Sequence, residues 1–493
     1  MAGLPEEIST SQTPPPSEEV SRPSSFASRF EDVASRGLDE AGVAGSLGPT
    51  GLLLRVTFDP EGRLVWGALR SDGPGLDLAG FGAGKPGDLQ LLRWATARHD
   101  FSMGLLHWIT KTWKLPGLRS AGQKGLLAAL RLLADSAEPG TRLAEATEAL
   151  SGRFQKEVPA SILRLFRVLT WPLAEEGSDP IGVQELRAAE RFVAEIDKKR
   201  PQGRNALDTV TADYLRQVAE IWDLSPLDAS LTPDTDLVVQ GDDALHAVPV
   251  AWLPTGGESL YRRVRTVRAS LAPQLDVLLE EIDHDGSVGP DERRLLSVSY
   301  FGPEDSAREG ARWLHHGHLR LAELFDAVSI AGADEKTGTV GSIRAALEQY
   351  GSFTTAAICG HGDFERAGIQ LGDEGGKKIL WQGQGCDLSQ VDWLLLVSCS
   401  IGRASRTGDL DVEGFCVQLA VHRARSVLAC RWPVLAVEAA AFANEAVCQY
   451  LKLEGQPERR ARALSATRRT ICEGERSLVG LNTAAAFELY GLG

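Results

Sequence analysis

The chain has no cysteine before residue 359, and all seven of its cysteines lie in the last third of the 493 residues. None of them forms a C-x-x-C pair, which is the spacing shared by zinc knuckles and thioredoxin-like sites. An odd number of clustered cysteines also does not match the disulfide framework of a small secreted domain. We therefore expect free thiols in a reducing compartment, where a cysteine can act as a nucleophile.

Long apolar runs and an excess of positive charge are also missing. No apolar run reaches the ~18 residues that a membrane span needs, and the N-terminal stretch lacks the basic and apolar regions of a signal peptide. The formal net charge is −15, whereas binding to a phosphate backbone needs concentrated Lys and Arg. The composition predicts a cytoplasmic protein that contacts neither a membrane nor nucleic acid directly.

What is present is the composition of a globular protein, with 43% apolar and 24% charged residues. Residues 1–45 are rich in Ser, Pro and Glu and predict a disordered tail, because they carry too little apolar surface to offset the entropy of ordering. Two β-rich runs around Gly62 predict a hairpin, and a helical pattern punctuated by prolines follows. We predict an N-terminal hairpin plus irregular helical region over 46–235, and a further domain over 236–493.

In that last domain, apolar runs alternate with helical patterns. Strands are predicted over 237–240, 295–300, 327–331, 355–360, 393–399 and 426–432. Helices are predicted over 306–324, 338–350, 411–423, 434–452 and 457–473. This alternation is typical of βαβ units, so we predict an α/β fold with a mainly parallel sheet flanked by helices. Active sites in such sheets lie at the carboxyl ends of the strands.

Two predicted strands end in residues with catalytic chemistry. His361 follows one strand between two glycines, and Cys399 ends another. If the strands are neighbours, the imidazole can raise the thiolate fraction of the cysteine. We therefore predict Cys399 as nucleophile and His361 as general base and acid. The backbone amides of Gly362 and Cys399 are predicted to form the oxyanion hole, and no metal or cofactor is expected.

Each half of this pair also has a structural interpretation. A histidine at a strand end is commonly a hydrogen-bonded structural residue, and a cysteine in a strand is commonly a small buried hydrophobe. Cys359 lies only two residues before His361, but its apolar neighbours predict a buried thiol. The combination of His361 and Cys399 at consecutive strand ends favours catalysis.

Two other clusters are given structural interpretations. Residues 315–318 read His-His-Gly-His, but no carboxylate or cysteine follows at the spacing of a metal site. They are predicted to lie on an exposed helix surface. A run of arginines predicts a solvated basic helix face, and its members are Arg459, Arg460, Arg462, Arg468 and Arg469.

Several short blocks resemble the CHAT family of caspase-like peptidases, in the clan that includes separase. Residues 359–362 resemble its H-G block, and residues 397–402 resemble its L-S-A-C-x-T-G block. Residues 237–249, 425–434 and 485–491 resemble further blocks in the same order. The resemblance covers 236–493 and implies a caspase-like fold. Ser400 departs from the acid usual at its position, and residues 434–437 replace an expected acidic pair.

The resemblance also implies how a substrate is held. The strand carrying Arg431 and Trp432 would lie beside the peptide, and an acidic S1 pocket would favour a basic P1 residue. Asp409, Asp411 and Glu413 are candidates for that pocket. The alternative for these three acids is a solvated loop that caps the next helix.

The implied function is a cysteine endopeptidase that cleaves a protein substrate through a thioester at Cys399. A protein activator would bind the helical region, and the setting would be bacterial defence or regulated cell death. The alternative is a catalytically silent CHAT scaffold or sensor that binds protein partners. A nucleotide-binding Rossmann-like protein is disfavoured, because no glycine fingerprint follows the first strand.

Overall fold

The computed structural model describes slightly more than half of the chain. The described residues are 45, 47–72, 75–93, 95–96, 99, 103, 203–241, 248–270, 293–301, 307–332, 338–363, 368–373, 377–399, 405–406, 412–413, 419, 426–454, 456, 458–473 and 479–491. The predicted disordered tail, apart from residue 45, and most of the predicted helical region lie outside these ranges.

The described elements are strands that alternate with helices in the last 260 residues or so, as the α/β pattern predicts. The strands are β1 Gly51–Phe58, β2 Leu64–Asp72, β3 Gly75–Ala83, β4 Asp236–Gly241, β5 Pro254–Thr255, β6 Glu258–Ser259, β7 Thr266–Ser270, β8 Arg294–Ser299, β9 Ala327–Ala331, β10 Phe353–Cys359, β11 Gly362–Asp363, β12 Gly368–Gly372, β13 Lys378–Trp381, β14 Val391–Val397, β15 Ser405–Arg406, β16 Val412–Glu413, β17 Ser426–Cys430 and β18 Phe487–Gly491. The helices are α1 Gly203–Ile221, α2 Leu260–Arg263, α3 Arg308–Leu321, α4 Val340–Tyr350, α5 Ala436–Lys452, α6 Arg459–Glu473 and α7 Leu481–Ala486.

A six-stranded sheet forms the centre of the fold, in the order β18-β17-β14-β10-β8-β9. All of its neighbours are parallel except β17 and β18, which are antiparallel. Every residue of β10 and β14 is buried, which explains why these two central strands read as continuous apolar runs. The predicted fold class, a mainly parallel sheet flanked by helices, is confirmed.

Each face of this sheet packs against its own apolar layer. On β10, Ala357 and Cys359 face one layer, which includes residues of α5, α6 and α7. Ala356 and Ile358 face the other layer, which includes α4 and the small β11-β12-β13 sheet. This alternation follows from the two-residue period of a strand. The carboxyl ends of the central strands therefore emerge between two covering layers.

A second sheet has the order β3-β2-β1-β4-β7. The predicted hairpin is confirmed, because β1 and β2 pair antiparallel across the turn. β3 is absent from the sequence prediction. β1 also pairs parallel with β4, so the regions predicted as 46–235 and 236–493 contribute strands to one sheet.

Most predicted elements appear within a few residues of their expected bounds, and β9 matches its prediction of 327–331. The helix predicted over 411–423 is wrong at its start. There β16 pairs antiparallel with β15, so these backbone groups are satisfied by a partner strand. The partner lies outside the predicted helix, where a local pattern could not reveal it.

Two predictions of exposed surface are also wrong. His315 and His318 are buried on α3, because this face of the helix packs against the sheet and α5 rather than facing solvent. On α6, Arg460 and Arg468 are buried, and Arg459 lies 3.7 Å from the centre of the Tyr450 ring. These arginines contact groups inside the fold, because α6 packs against α5 and β7.

Among the described residues, no helix is both long enough and apolar enough to cross a bilayer. In the same ranges, no three metal-ligating side chains cluster at one place. The six described cysteines are all free thiols.

Candidate active site

The strands that lead to His361 and Cys399 are neighbours. β10 and β14 pair in parallel, with Cys359 opposite Val397 as the last registered pair. His361 and Cys399 each follow that pair by two residues. The predicted adjacency of the two strands is confirmed, and both residues emerge at the same carboxyl edge of the sheet.

The two strand ends touch backbone to backbone. A Cβ atom placed on Gly362 would lie 2.1 Å from the carbonyl oxygen of Cys399 and 3.6 Å from its nitrogen. Real Cβ atoms do not approach a carbonyl oxygen that closely, so only glycine fits at this position. Ser398 adds a second link, because its hydroxyl donates to the carbonyl oxygen of Gly360 at 2.6 Å. Ser398 is not among the site residues predicted from the sequence, although it directly precedes Cys399.

His361 is half-buried at the end of β10. Its ring meets the ring of Phe301 edge to face, with the centroids 5.3 Å apart and the planes at 88°. Its carbonyl oxygen accepts a hydrogen bond of 2.8 Å from the backbone N–H of Gln370 on β12. The backbone and the ring of His361 are therefore both held in place.

The same hydrogen bond determines where the Gly362 amide points. Because Gln370 donates to His361, that pair is the hydrogen-bonded pair of the β11-β12 ladder. Gly362 and Ile369 are the next pair, which does not exchange hydrogen bonds in an antiparallel ladder. The N–H of Gly362 therefore points away from β12 and is not used by that strand.

Cys399 is half-buried, and its sulfur lies 3.7 Å from the carbonyl oxygen of Val434. In this contact the thiol donates, because a carbonyl oxygen only accepts. A hydrogen bond to the neutral form favours the thiol over the thiolate. This contact therefore favours the less nucleophilic form of the sulfur.

Cys359 lies one strand away in a different environment. It is buried, as predicted, and burial raises the pKa of its thiol, with a smaller contribution from nearby Cys399. A thiol with a raised pKa is a poor nucleophile at neutral pH. The partly exposed Cys399 is therefore the better candidate of the two.

Arg431 and Trp432 point into the core. Arg431 is 3% exposed and pairs with Glu488 at 3.3 Å. Trp432 is also 3% exposed, and its ring nitrogen donates to the backbone carbonyl oxygen of Asn482 at 3.1 Å. Both side chains are occupied by protein contacts, so in this structure they offer no surface to a peptide.

The predicted acidic pocket is only partly within the described residues. Asp409 and Asp411 lie outside them, and Glu413 is described only through its backbone in β16. A cavity of about 740 Å³ lies elsewhere, beside α1 and α2. Neither His361 nor Cys399 lines it, so this cavity is separate from the two strand ends.

Comparison with known proteins places this site in a family. Residues 212–479, which are more than half of the chain, match the model of the CHAT domain. No curated protein matches the chain.

Solved structures give more distant likenesses. A chain in the Saccharomyces cerevisiae separase–securin complex at 2.6 Å has a TM-score of 0.48 and 13% identity, over 92% of this chain. This protein spans only 31% of the length of that chain. The Porphyromonas gingivalis RgpB pro- and mature-domain complex has a TM-score of 0.35 and 14% identity, over 58% of this chain and 69% of its own. From the family match, this chain belongs to the CHAT family.

Proposed function

We propose that this protein is a cysteine endopeptidase in which Cys399 is the nucleophile and His361 is the general base and acid. One observation carries the proposal. Two neighbouring parallel strands end in register, one before the histidine and the other before the cysteine, and their following residues are in backbone contact.

The proposed reaction proceeds through a thioester. His361 takes the proton of Cys399, and the sulfur attacks the carbonyl carbon of the scissile peptide bond. The tetrahedral intermediate collapses as its C–N bond breaks, and the departing amine takes the proton from His361. A water molecule, deprotonated by His361, then hydrolyses the thioester and releases the acid product and the free thiol.

The backbone amides of Gly362 and Cys399 are proposed to bind the oxyanion of that intermediate. The orientation of the Gly362 N–H, away from β12, supports this role. Backbone donors at such a site are already oriented, so they need no reorganisation when negative charge develops on the oxygen. The Cβ position of Gly362 lies 3.6 Å from the Cys399 nitrogen, which supports a role of both amides at one oxygen atom.

The substrate and setting are proposals of the same kind. We infer a protein substrate, a protein activator and a reducing cytoplasm, with a role in bacterial defence or regulated cell death. Asp409, Asp411 and Glu413 remain candidates for an acidic S1 pocket that would favour a basic P1 residue. A peptide library cleaved by the full chain would define the P1 preference.

A peptide with a thiol-reactive electrophile at its C-terminus tests the catalytic pair. Labelling should occur at Cys399, should disappear in Cys399→Ala, and should slow by about a hundredfold or more in His361→Ala, since a general base contributes that much. Mass spectrometry of the labelled chain gives the site and the rate. Cys448→Ala removes another half-buried thiol and should label like the wild type.

Cleavage of a substrate by Cys399→Ala would overturn the assignment.

The second candidate function is a catalytically silent CHAT scaffold, which is favoured by the contact between the Cys399 thiol and the Val434 carbonyl. Labelling at Cys399 that does not depend on His361 would support the scaffold and contradict the peptidase.

A further inference from the structure

The contact between Cys399 and Val434 depends on a short segment that joins β17 to α5. We call residues 431–435 the β17–α5 connection. Its Val434 carbonyl is the group that accepts from the Cys399 thiol. The position of this connection therefore decides whether the Val434 carbonyl meets the sulfur.

Asn482, on α7, holds the β17–α5 connection at two consecutive residues. Its backbone carbonyl oxygen accepts from the ring nitrogen of Trp432 at 3.1 Å. Its side-chain amide donates to the carbonyl oxygen of Pro433 at 3.3 Å. Asn482 is buried, so water does not replace either contact easily. Val434 is the next residue along the chain.

Asn482 is in turn held by α1. The hydroxyl of Thr211 donates to the side-chain oxygen of Asn482 at 3.0 Å, and the backbone N–H of Asn482 donates to Asp208 at 2.8 Å. Because the hydroxyl takes the amide oxygen, the amide NH₂ is directed toward Pro433. Asp208, Thr211 and Asn482 all lie outside the span that matches the CHAT domain.

We propose that Asn482 is a positioning residue that keeps the Val434 carbonyl against Cys399 and so holds the nucleophile as a protonated thiol. This inference rests on the proposed role of Cys399. A carbonyl oxygen stabilises the S–H form and opposes the thiolate. Movement of α1 relative to α7 would then release the connection and increase the thiolate fraction.

The test is the pH dependence of Cys399 alkylation by iodoacetamide in the full chain, followed by mass spectrometry. In Asn482→Ala the midpoint should fall, and alkylation at pH 7 should be about three to ten times faster, as expected for the loss of one neutral hydrogen bond. Thr211→Val, which removes only the hydroxyl, should shift the midpoint in the same direction. Thr211→Ser retains the hydroxyl and should match the wild type.

An internal control separates positioning from a general loss of structure. Cys448 is half-buried on α5, and its alkylation rate should not change in any variant. The substitutions change no titratable side chain, so Cys359, His361, His315 on α3, Glu438 on α5 and Arg431 of the connection are present in every variant. A shift of the Cys399 midpoint therefore reports on the connection.

An unchanged Cys399 midpoint in Thr211→Val and Asn482→Ala, with only a lower melting temperature, would overturn the inference. Equal acceleration at Cys448 would also overturn it. If Asn482→Ala does not fold, the comparison of Thr211→Val with Thr211→Ser decides alone. The readout does not need peptidase activity, so its failure is distinct from the failure of Cys399→Ala to abolish cleavage.

Discussion

At the scale of single residues, Gly362 has no room for a side chain. Its missing side chain leaves room for the Cys399 carbonyl, which would lie 2.1 Å from a Cβ atom. We expect Gly362→Ala to push the two strand ends apart. Overpacking of this kind costs about 1–3 kcal/mol of stability. Because a misplacement of about 1 Å can slow a reaction by about 10²-fold, peptide-electrophile labelling of Cys399 should slow by about tenfold or more.

Gly67 provides the matched control for that substitution. It lies in β2, and a Cβ atom there meets nothing within 4 Å. Gly67→Ala should therefore label within about twofold of the wild type, since an unobstructed surface substitution has little effect. Equal labelling rates in the two variants would show that the approach of Gly362 to Cys399 does not matter for the site.

The two cysteines at the strand ends illustrate how environment separates identical side chains. Cys359 lies inside β10 with apolar neighbours on its face of the sheet, and burial raises the pKa of its thiol. Cys399 lies just beyond β14, half-exposed and next to a backbone carbonyl. Only the second thiol can meet a substrate without unfolding of the sheet.

At the scale of elements, α3 couples stability to pH. His318 is fully buried on this helix, and burial, with a smaller effect of His315, lowers the pKa of its imidazole to about 3. The ordinary pKa is 6.5, so the unfolded chain binds a proton that the folded chain excludes. Stability should therefore fall as pH decreases below about 6.5, by at most about 1.4 kcal/mol per pH unit from this group.

His318→Leu should remove that contribution. Urea unfolding measured between pH 7 and pH 4 should show a shallower loss of the free energy of unfolding than in the wild type. His316 is exposed on the same helix, and His316→Gln should keep the wild-type slope. An unchanged slope in His318→Leu would mean that this imidazole is protonated in the folded protein.

At the scale of the whole molecule, buried ion pairs join the central sheet to the helices on one face. Asp392, at the start of β14, accepts from Arg460 on α6 and from the hydroxyl of Tyr450 on α5. Asp392→Asn would leave a buried guanidinium without its counter-charge. Removal of one partner of such a pair costs about 3–5 kcal/mol, and urea titration should show a loss of this order.

The exposed pair of Asp213 and Arg216 on α1 provides the comparison. These side chains are 3.0 Å apart, and more than half of each is exposed. Asp213→Asn should leave the unfolding midpoint unchanged, because solvent screens such pairs. If Asp392→Asn behaved in the same way, the sheet and α6 would not be joined by this ion pair.

How much of the molecule the sequence predicts depends on whether the signal is local. The central strands are predictable because burial on both faces requires a run of apolar residues, as in 393–399. The N-terminal hairpin is predictable because its turn and both strands are consecutive. β16 is mispredicted because its partner β15 lies outside the predicted helix. β3 is missed although its partner β2 directly precedes it, because Gly75, Gly80 and Gly82 weaken its strand pattern.

The sequence by itself determined that a histidine and a cysteine would each follow a buried strand, because the order of apolar runs and glycines is a property of the chain alone. Only the tertiary structure decided that β10 and β14 are neighbours, that Trp432 points inward, and that Asn482 supports the segment beside the sulfur. Those facts depend on which distant groups meet, and Thr211 meets Asn482 across 271 positions of the chain. Contacts at that separation arise from packing and leave no periodic signal in the residues that make them.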